Sequence, residues 1–140
     1  MPGSIKILFV CTGNSARSQM AEGFGRHFGQ SRIEAYSAGM EPSRLNPFAV
    51  AVMQEKGIDI SRQRSKAFEE NLARRMDVVV TVCGNADEHC PVLPPEVKKL
   101  HWPLEDPATA RGTDPEVLAK FRDIRDQIEV RVLELIRTLK

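Results

Sequence analysis

The sequence predicts an α/β fold, a parallel sheet covered by helices on both faces. Three observations predict it. Apolar, strand-like runs alternate with helical segments at the spacing of βαβ units. The first run is almost continuously apolar, as strands buried on both faces are. The last segment carries a long apolar stripe of period close to 3.6, the pattern of a helix laid on such a sheet. With 140 residues the chain is expected to form one domain, residues 1–140.

"IKILFV" (5–10) is the first strand, with Lys6 its one charge. "SQMAEGFGRHFG" (18–29) places Met20, Ala21, Phe24 and Phe28 at helical spacing. "RIEAYSAG" (32–39) reads as a second strand ending at Gly39. In "NPFAVAVMQEKG" (46–57), Asn46 suits an N-cap, Pro47 the first helical position and Gly57 the stop. "SKAFEENLARRM" (65–76) reads as another capped helix. "DVVVTVC" (77–83) is the clearest strand, rich in Val and bounded by Asp77 and Gly84. "KKLHW" (98–102) is a weaker one, broken at Pro103. Asp114 and Pro115 open a long helix whose stripe is Leu118, Phe121, Ile124, Ile128, Val132, Leu135 and Leu139.

Hydrophobic residues make up 41% and charged residues 28%, an ordinary globular balance. A net charge of +1 gives no electrostatic case for nucleic acid or a membrane surface. "MPGSIK" lacks the apolar stretch of a signal peptide, and no run is long enough to span a bilayer. A soluble cytoplasmic protein is expected. The three cysteines, Cys11, Cys83 and Cys90, cannot all pair. In a reducing compartment they point to reactive or metal-binding thiols rather than a disulfide framework.

In parallel α/β sheets the site lies beyond the carboxyl ends of the strands, near a topological switch point. Cys11 ends the first predicted strand, Cys83 ends the third, and Asp106 follows the fourth after a short turn. "CTGNSARS" (11–18) is a loop entering a helix. Small residues at Thr12, Gly13, Asn14, Ser15 and Ala16 let several backbone N–H groups converge, and a helix N-terminus adds to them. Arg17 supplies a fork for two oxygens of a tetrahedral oxyanion. Such a positive field favours a thiolate, and the Ser18 hydroxyl can donate to it. The arrangement suits holding an oxyanion and attacking its central atom. A cysteine and an arginine at this spacing also occur by chance; the strand before and the helix after make the motif specific. Asp106, in "EDP" (105–107), is placed to give a proton to a leaving oxygen. The plain alternative is a turn residue before Pro107.

"FVCTGNSARSQMAEG", "YSAG", "IDIS", "DVVVTVC", "CPVLPP" and "HWPLEDP" resemble the thioredoxin-coupled arsenate reductases, which share the fold of the low-molecular-weight protein tyrosine phosphatases. The resemblance runs over nearly the whole chain and implies a four-stranded parallel sheet. It implies that Cys11 is the nucleophile, that Cys83 and then Cys90 are relay thiols, and that Arg17 binds the oxyanion. It assigns thiolate support to Ser18 and the general acid to Asp106. The implied activity is reduction of arsenate to arsenite, with phosphate or sulfate as analogues of the substrate. Thioredoxin would recycle the enzyme, a monomer, with no cofactor or metal. Relatives that bind potassium beside the anion loop carry Thr and Asp where this chain has Arg64 and Lys66. The resemblance therefore implies a chain that works without potassium, in one of two ways: the Lys66 ammonium takes the ion's place, bridging Glu22 and Asn14, or Lys66 points to solvent and the site is lost. A tyrosine phosphatase would use the same Cys11, Arg17 and Asp106, but would leave Cys83 and Cys90 idle. The segment after Asp106, "PATARGTDP", also lacks the aromatic pair that would hold a phenyl ring. Cys83, His89, Cys90 and His101 as a metal site lack the usual short ligand spacing.

Overall fold

The first strand, β1 (Ile5–Cys11), pairs with β2 (Ile33–Gly39) on one side and with β3 (Val78–Thr81) on the other, and β3 carries β4 (Lys98–His101). The order is β2-β1-β3-β4, and these pairings are all parallel, the parallel sheet that the sequence predicts. The structure is a computed structural model that describes residues 3–139. The chain runs outward from β1 to β2, then crosses back to β3. The switch point thus lies between β1 and β3, at the ends carrying Cys11 and Thr81.

Among the described residues five α-helices complete the fold: α1 (Arg17–Gly29), α2 (Pro47–Gln54), α3 (Glu70–Arg74), α4 (Gly84–His89) and α5 (Asp114–Thr138). Phe9 of β1, Phe24 of α1, Met53 of α2 and Phe121 of α5 are fully buried and join sheet and helices in one core. Along α5 the predicted stripe is buried from Phe121 to Leu135, while Leu118 is half-buried and Leu139 caps the C-terminus. Asn46 caps α2, its side chain accepting from the Phe48 N–H with Pro47 in the first turn. Thr113, a position the sequence reading passed over, caps α5 in a reciprocal box with Glu116. Among the described residues no helix is long and apolar enough to cross a membrane.

Two stretches differ from expectation. The helix predicted over 65–76 is confined to Glu70–Arg74. Before it the backbone is extended and pairs with the end of β2: the Gly39 N–H donates to the Lys66 carbonyl, and the Phe68 N–H to the Gly39 carbonyl. Tertiary pairing overrides local helix propensity there. Beyond β3, which stops at Thr81 rather than Cys83, the chain forms α4, unassigned from sequence. Cys83 is its N-cap, with the sulfur accepting from the Ala86 N–H at 3.4 Å.

α2 is fastened to α5 through Glu55. The Arg122 guanidinium meets its carboxylate with Nε and a terminal nitrogen at 2.8–3.1 Å, and Arg125 adds a contact at 2.7 Å. The hydrogen bonds from Arg122 are the main reason that the Glu55 carboxyl is held down at about 2, against an ordinary 4.5. A folded-state value below the unfolded one stabilises the fold above pH 4.5, and the benefit is lost as pH falls through about 2. Glu55→Gln is therefore expected to be less stable than the parent at neutral pH, with the gap closing across that window. Denaturation curves that stay equally far apart from pH 7 to pH 2 would contradict this.

Gly39 is a position of close approach. A Cβ there would lie 2.7 Å from the Asn14 nitrogen and 2.7 Å from the Thr12 oxygen, both backbone atoms. Gly39→Ala should cost about 1–3 kcal/mol, the range of an overpacked site, and lower the melting temperature. Gly84→Ala, whose added Cβ meets nothing within 4 Å, is the control and should melt near the parent.

Candidate active site

The loop from Cys11 to Ala16 joins β1 to α1 at the carboxyl edge of the sheet. Its carbonyls are taken up by a second segment running alongside. Met40, Glu41, Ser43 and Asn46 donate backbone N–H groups to the carbonyls of Cys11, Thr12, Gly13 and Ser15, at 2.8–3.0 Å. The Ser65 hydroxyl adds a further bond to the Gly13 carbonyl at 2.8 Å. With its acceptors committed outward, the loop can offer donors to the inside, as an anion site requires. One such donor is visible: the Asn14 N–H points at the Cys11 sulfur, 3.2 Å away.

Asn14 makes this turn possible. Its φ of 48° lies in the left-handed region, which Asn tolerates better than most residues. Its side chain is fully buried and fully used. Oδ1 accepts from the Lys66 backbone N–H at 2.7 Å and from Gln19 at 3.0 Å. Nδ2 donates to the Ser18 hydroxyl oxygen at 2.8 Å. The Ser18 proton is thereby left for the Cys11 sulfur, 2.9 Å from Oγ. Gln19 is itself held by Gln63 at 2.8 Å and donates to the Arg64 carbonyl. The sequence points to Asn14 as a loop amide and as a partner of Lys66, but not to its side-chain bond with Ser18, nor to Gln19 and Gln63. The available signal was a buried-face amide, Gln19, beside Met20.

Arg17 opens α1, is nearly buried, and reaches across the switch point. It donates to the carbonyls of Val82, at 3.4 Å, and Leu104, at 3.0 Å, so the segments after β3 and β4 both fix it. Its other terminal nitrogen is 3.6 Å from Oδ2 of Asp106. Asp106 keeps about 40% of its side chain exposed and caps a short 3-10 turn, Pro107–Thr109, by accepting from the Ala108 N–H. It therefore stands at the open side of the arginine.

Cys83 joins the group from β3's side, its sulfur 3.3 Å from the Thr12 hydroxyl. Cys90 does not. It follows α4, seven residues on, a rise of about 10 Å along a helix. All three cysteines are free. Burial pushes the Cys90 thiol up, against a smaller opposing pull from Lys99.

The cation expectation is met in a different form. The Lys66 ammonium lies 3.5 Å from Glu22, 3.4 Å from the Ser37 hydroxyl and 2.5 Å from the Arg64 carbonyl. Asn14 is reached by the Lys66 backbone instead. Glu22 also bonds Ser37 and, at 2.6 Å, Arg26. A potassium ion does not fit this donor set, because an ammonium already faces its carboxylate and carbonyl oxygens. Among the described residues no three His, Cys, Asp or Glu side chains are grouped to hold a metal.

The matches to known proteins agree with this geometry. Residues 6–140 match the family model described as low molecular weight phosphotyrosine protein phosphatase. An arsenate reductase of Shouchella clausii is 50% identical over 132 residues, covering 94% of this chain and 95% of that protein. A solved arsenate reductase in the phosphate binding state superposes with a TM-score of 0.79 at 42% identity, over 97% of this chain and 99% of that one. A thioredoxin-dependent arsenate reductase of Corynebacterium glutamicum superposes with a TM-score of 0.80 at 28% identity, over 99% of this chain and 65% of the other. Fold and sequence together make this chain a member of the low molecular weight phosphotyrosine protein phosphatase family, in the group of its arsenate reductases.

Proposed function

We propose that this protein reduces arsenate to arsenite through Cys11, Cys83 and Cys90 in series, and that thioredoxin regenerates it. One observation carries the reading: a second thiol, Cys83, stands at the rim of the anion loop, 3.3 Å from Thr12. A phosphatase needs no thiol there. Relatives named arsenate reductase, one of them thioredoxin-dependent, support the same reading.

The loop amides and Arg17 hold the arsenate oxygens. The Cys11 thiolate, supported by Ser18 and the Asn14 N–H, attacks arsenic. An S–As bond forms, an As–O bond breaks, and Asp106 protonates the departing oxygen. Cys83 then attacks the Cys11 sulfur. The S–S bond forms, the S–As pair passes to arsenic, and arsenite leaves with the two electrons the thiols have given up. Cys90 attacks Cys83 and frees Cys11 as a thiolate. The Cys83–Cys90 disulfide remains for a dithiol partner of the thioredoxin class. That last bond needs Cα atoms about 4.4–6.8 Å apart, well under the rise of the intervening helix, so α4 must unwind when it forms. The chain acts as a cytoplasmic monomer in this reading, and a residual phosphatase activity follows from the shared cup.

Cys11→Ser should abolish arsenate reduction, and Arg17→Lys should impair it badly because a point charge does not replace the fork. Cys90→Ser should release about one arsenite per chain, the single pass a two-thiol relay allows, and stop as a Cys11–Cys83 disulfide. Cys83→Ser should stall with arsenic on Cys11. Mass spectrometry of the trapped proteins distinguishes these. Sustained turnover by Cys90→Ser with thioredoxin would remove that residue from the series.

We also infer that the enzyme works without potassium, Lys66 standing in for an ion. Lys66→Asp should lower activity in sodium and regain it in potassium, whereas Lys66→Gln should stay impaired in both. A parent enzyme whose rate rises strongly when potassium replaces sodium at constant ionic strength would overturn this.

A further inference from the structure

We propose that Lys99, Asp87 and Thr81 form a latch that keeps α4 wound and so sets how readily Cys90 reaches Cys83. The inference rests on the relay reading. In a helix the Asp87 carbonyl would be met by the N–H four residues on, but that residue is Pro91, which has none. Lys99 on β4 supplies the donor: its Nζ is 3.4 Å from the Asp87 carbonyl oxygen and 3.3 Å from Oδ1 of the same residue. The Thr81 hydroxyl, on β3, reaches Oδ1 at 3.3 Å and lies 2.8 Å from Nδ1 of His101. One residue of α4 is thus held at backbone and side chain by two strands of the sheet. The hydrogen bond from Lys99 is the main cause holding the Asp87 carboxyl below its ordinary range. Lys99 and Asp87 keep 36% and 39% of their side chains exposed. Exposed pairs are weak, so this contact can open within a catalytic cycle. Both residues are positioning residues; neither touches the reacting sulfurs.

The test uses the full chain carrying Cys11→Ser, in which Cys83 and Cys90 are the only thiols. A diazenedicarboxamide oxidant takes two electrons and two protons, becoming the hydrazine, as the two thiols become one disulfide. Its rate is followed by mass spectrometry after alkylation. Added to that chain, Lys99→Met and Asp87→Asn should each speed disulfide formation about three- to tenfold, the scale of a lost cap and exposed ion pair. Combined, they should do little more than either alone. Lys99→Arg should stay near the parent rate, as should Lys98→Met on the same strand. Amide exchange over 86–90 in the reduced chain should quicken in both latch variants. Charge effects on the Cys90 thiol run the other way for one of them: Lys99 favours its thiolate and Asp87 opposes it. Rates moving in opposite directions, or not at all, would overturn the latch while leaving the relay intact. Absence of a Cys83–Cys90 disulfide in every protein would sink the relay and the latch with it.

Discussion

The site depends on where the carbonyls of residues 11–15 are sent. A loop that binds an oxyanion must not present lone pairs to it. Here the segment from Met40 to Asn46 draws four of those carbonyls to the outside through backbone hydrogen bonds. Everything nearer the chemistry builds on this. Asn14 can turn under in a left-handed conformation, its N–H can face the Cys11 sulfur, and its amide can orient Ser18. Gly39 lets the two segments come this close. The buried amide of Gln19 and the half-buried amide of Gln63 then tie the loop to the stretch around Arg64, and among the described residues no buried polar side chain is left unpaired.

Much of this was legible in the sequence. The four strands, the caps of α2 and the long stripe of α5 follow from local patterns, and Cys11, Arg17 and Ser18 fall where a strand-loop-helix motif puts them. Less legible was whatever depends on distant pairing. Ser65 and Lys66 look like the start of a helix because nothing local shows that the Ser65 hydroxyl is wanted by Gly13 and the Lys66 backbone by Gly39 and Asn14. α4 was missed because six residues, bounded by Cys83 and Cys90, are too short for a periodic signal. Glu22 and Lys66 show the same limit in the site. Their proximity could be expected from the resemblance, but the ammonium's partners, Ser37 and the Arg64 carbonyl, could not.

The three thiols occupy different physical settings. Cys11 is enclosed by donors. Cys83 is tied to two elements at once, to the anion loop through Thr12 and to α4 through the Ala86 N–H. Cys90 sits at the end of α4, half-buried, where desolvation favours its protonated form. The wound helix α4 therefore separates Cys83 from Cys90, and burial at its end keeps Cys90 quiet. Any motion that carries Cys90 inward changes its surroundings along with its position.

The outward carbonyls have a consequence for how such a motif can be inherited or borrowed. Residues 11–18 do not contain the information for their own shape; their curvature is written partly in residues 39–46 and 63–66, which carry no reactive group. A transplanted "CTGNSARS" on a bare strand-helix junction would keep its side chains and lose its polarity, since its carbonyls would be free to turn inward. Substitutions in the silent segment can accordingly erase the chemistry of a cysteine they never touch. The transferable unit is the loop with its collar.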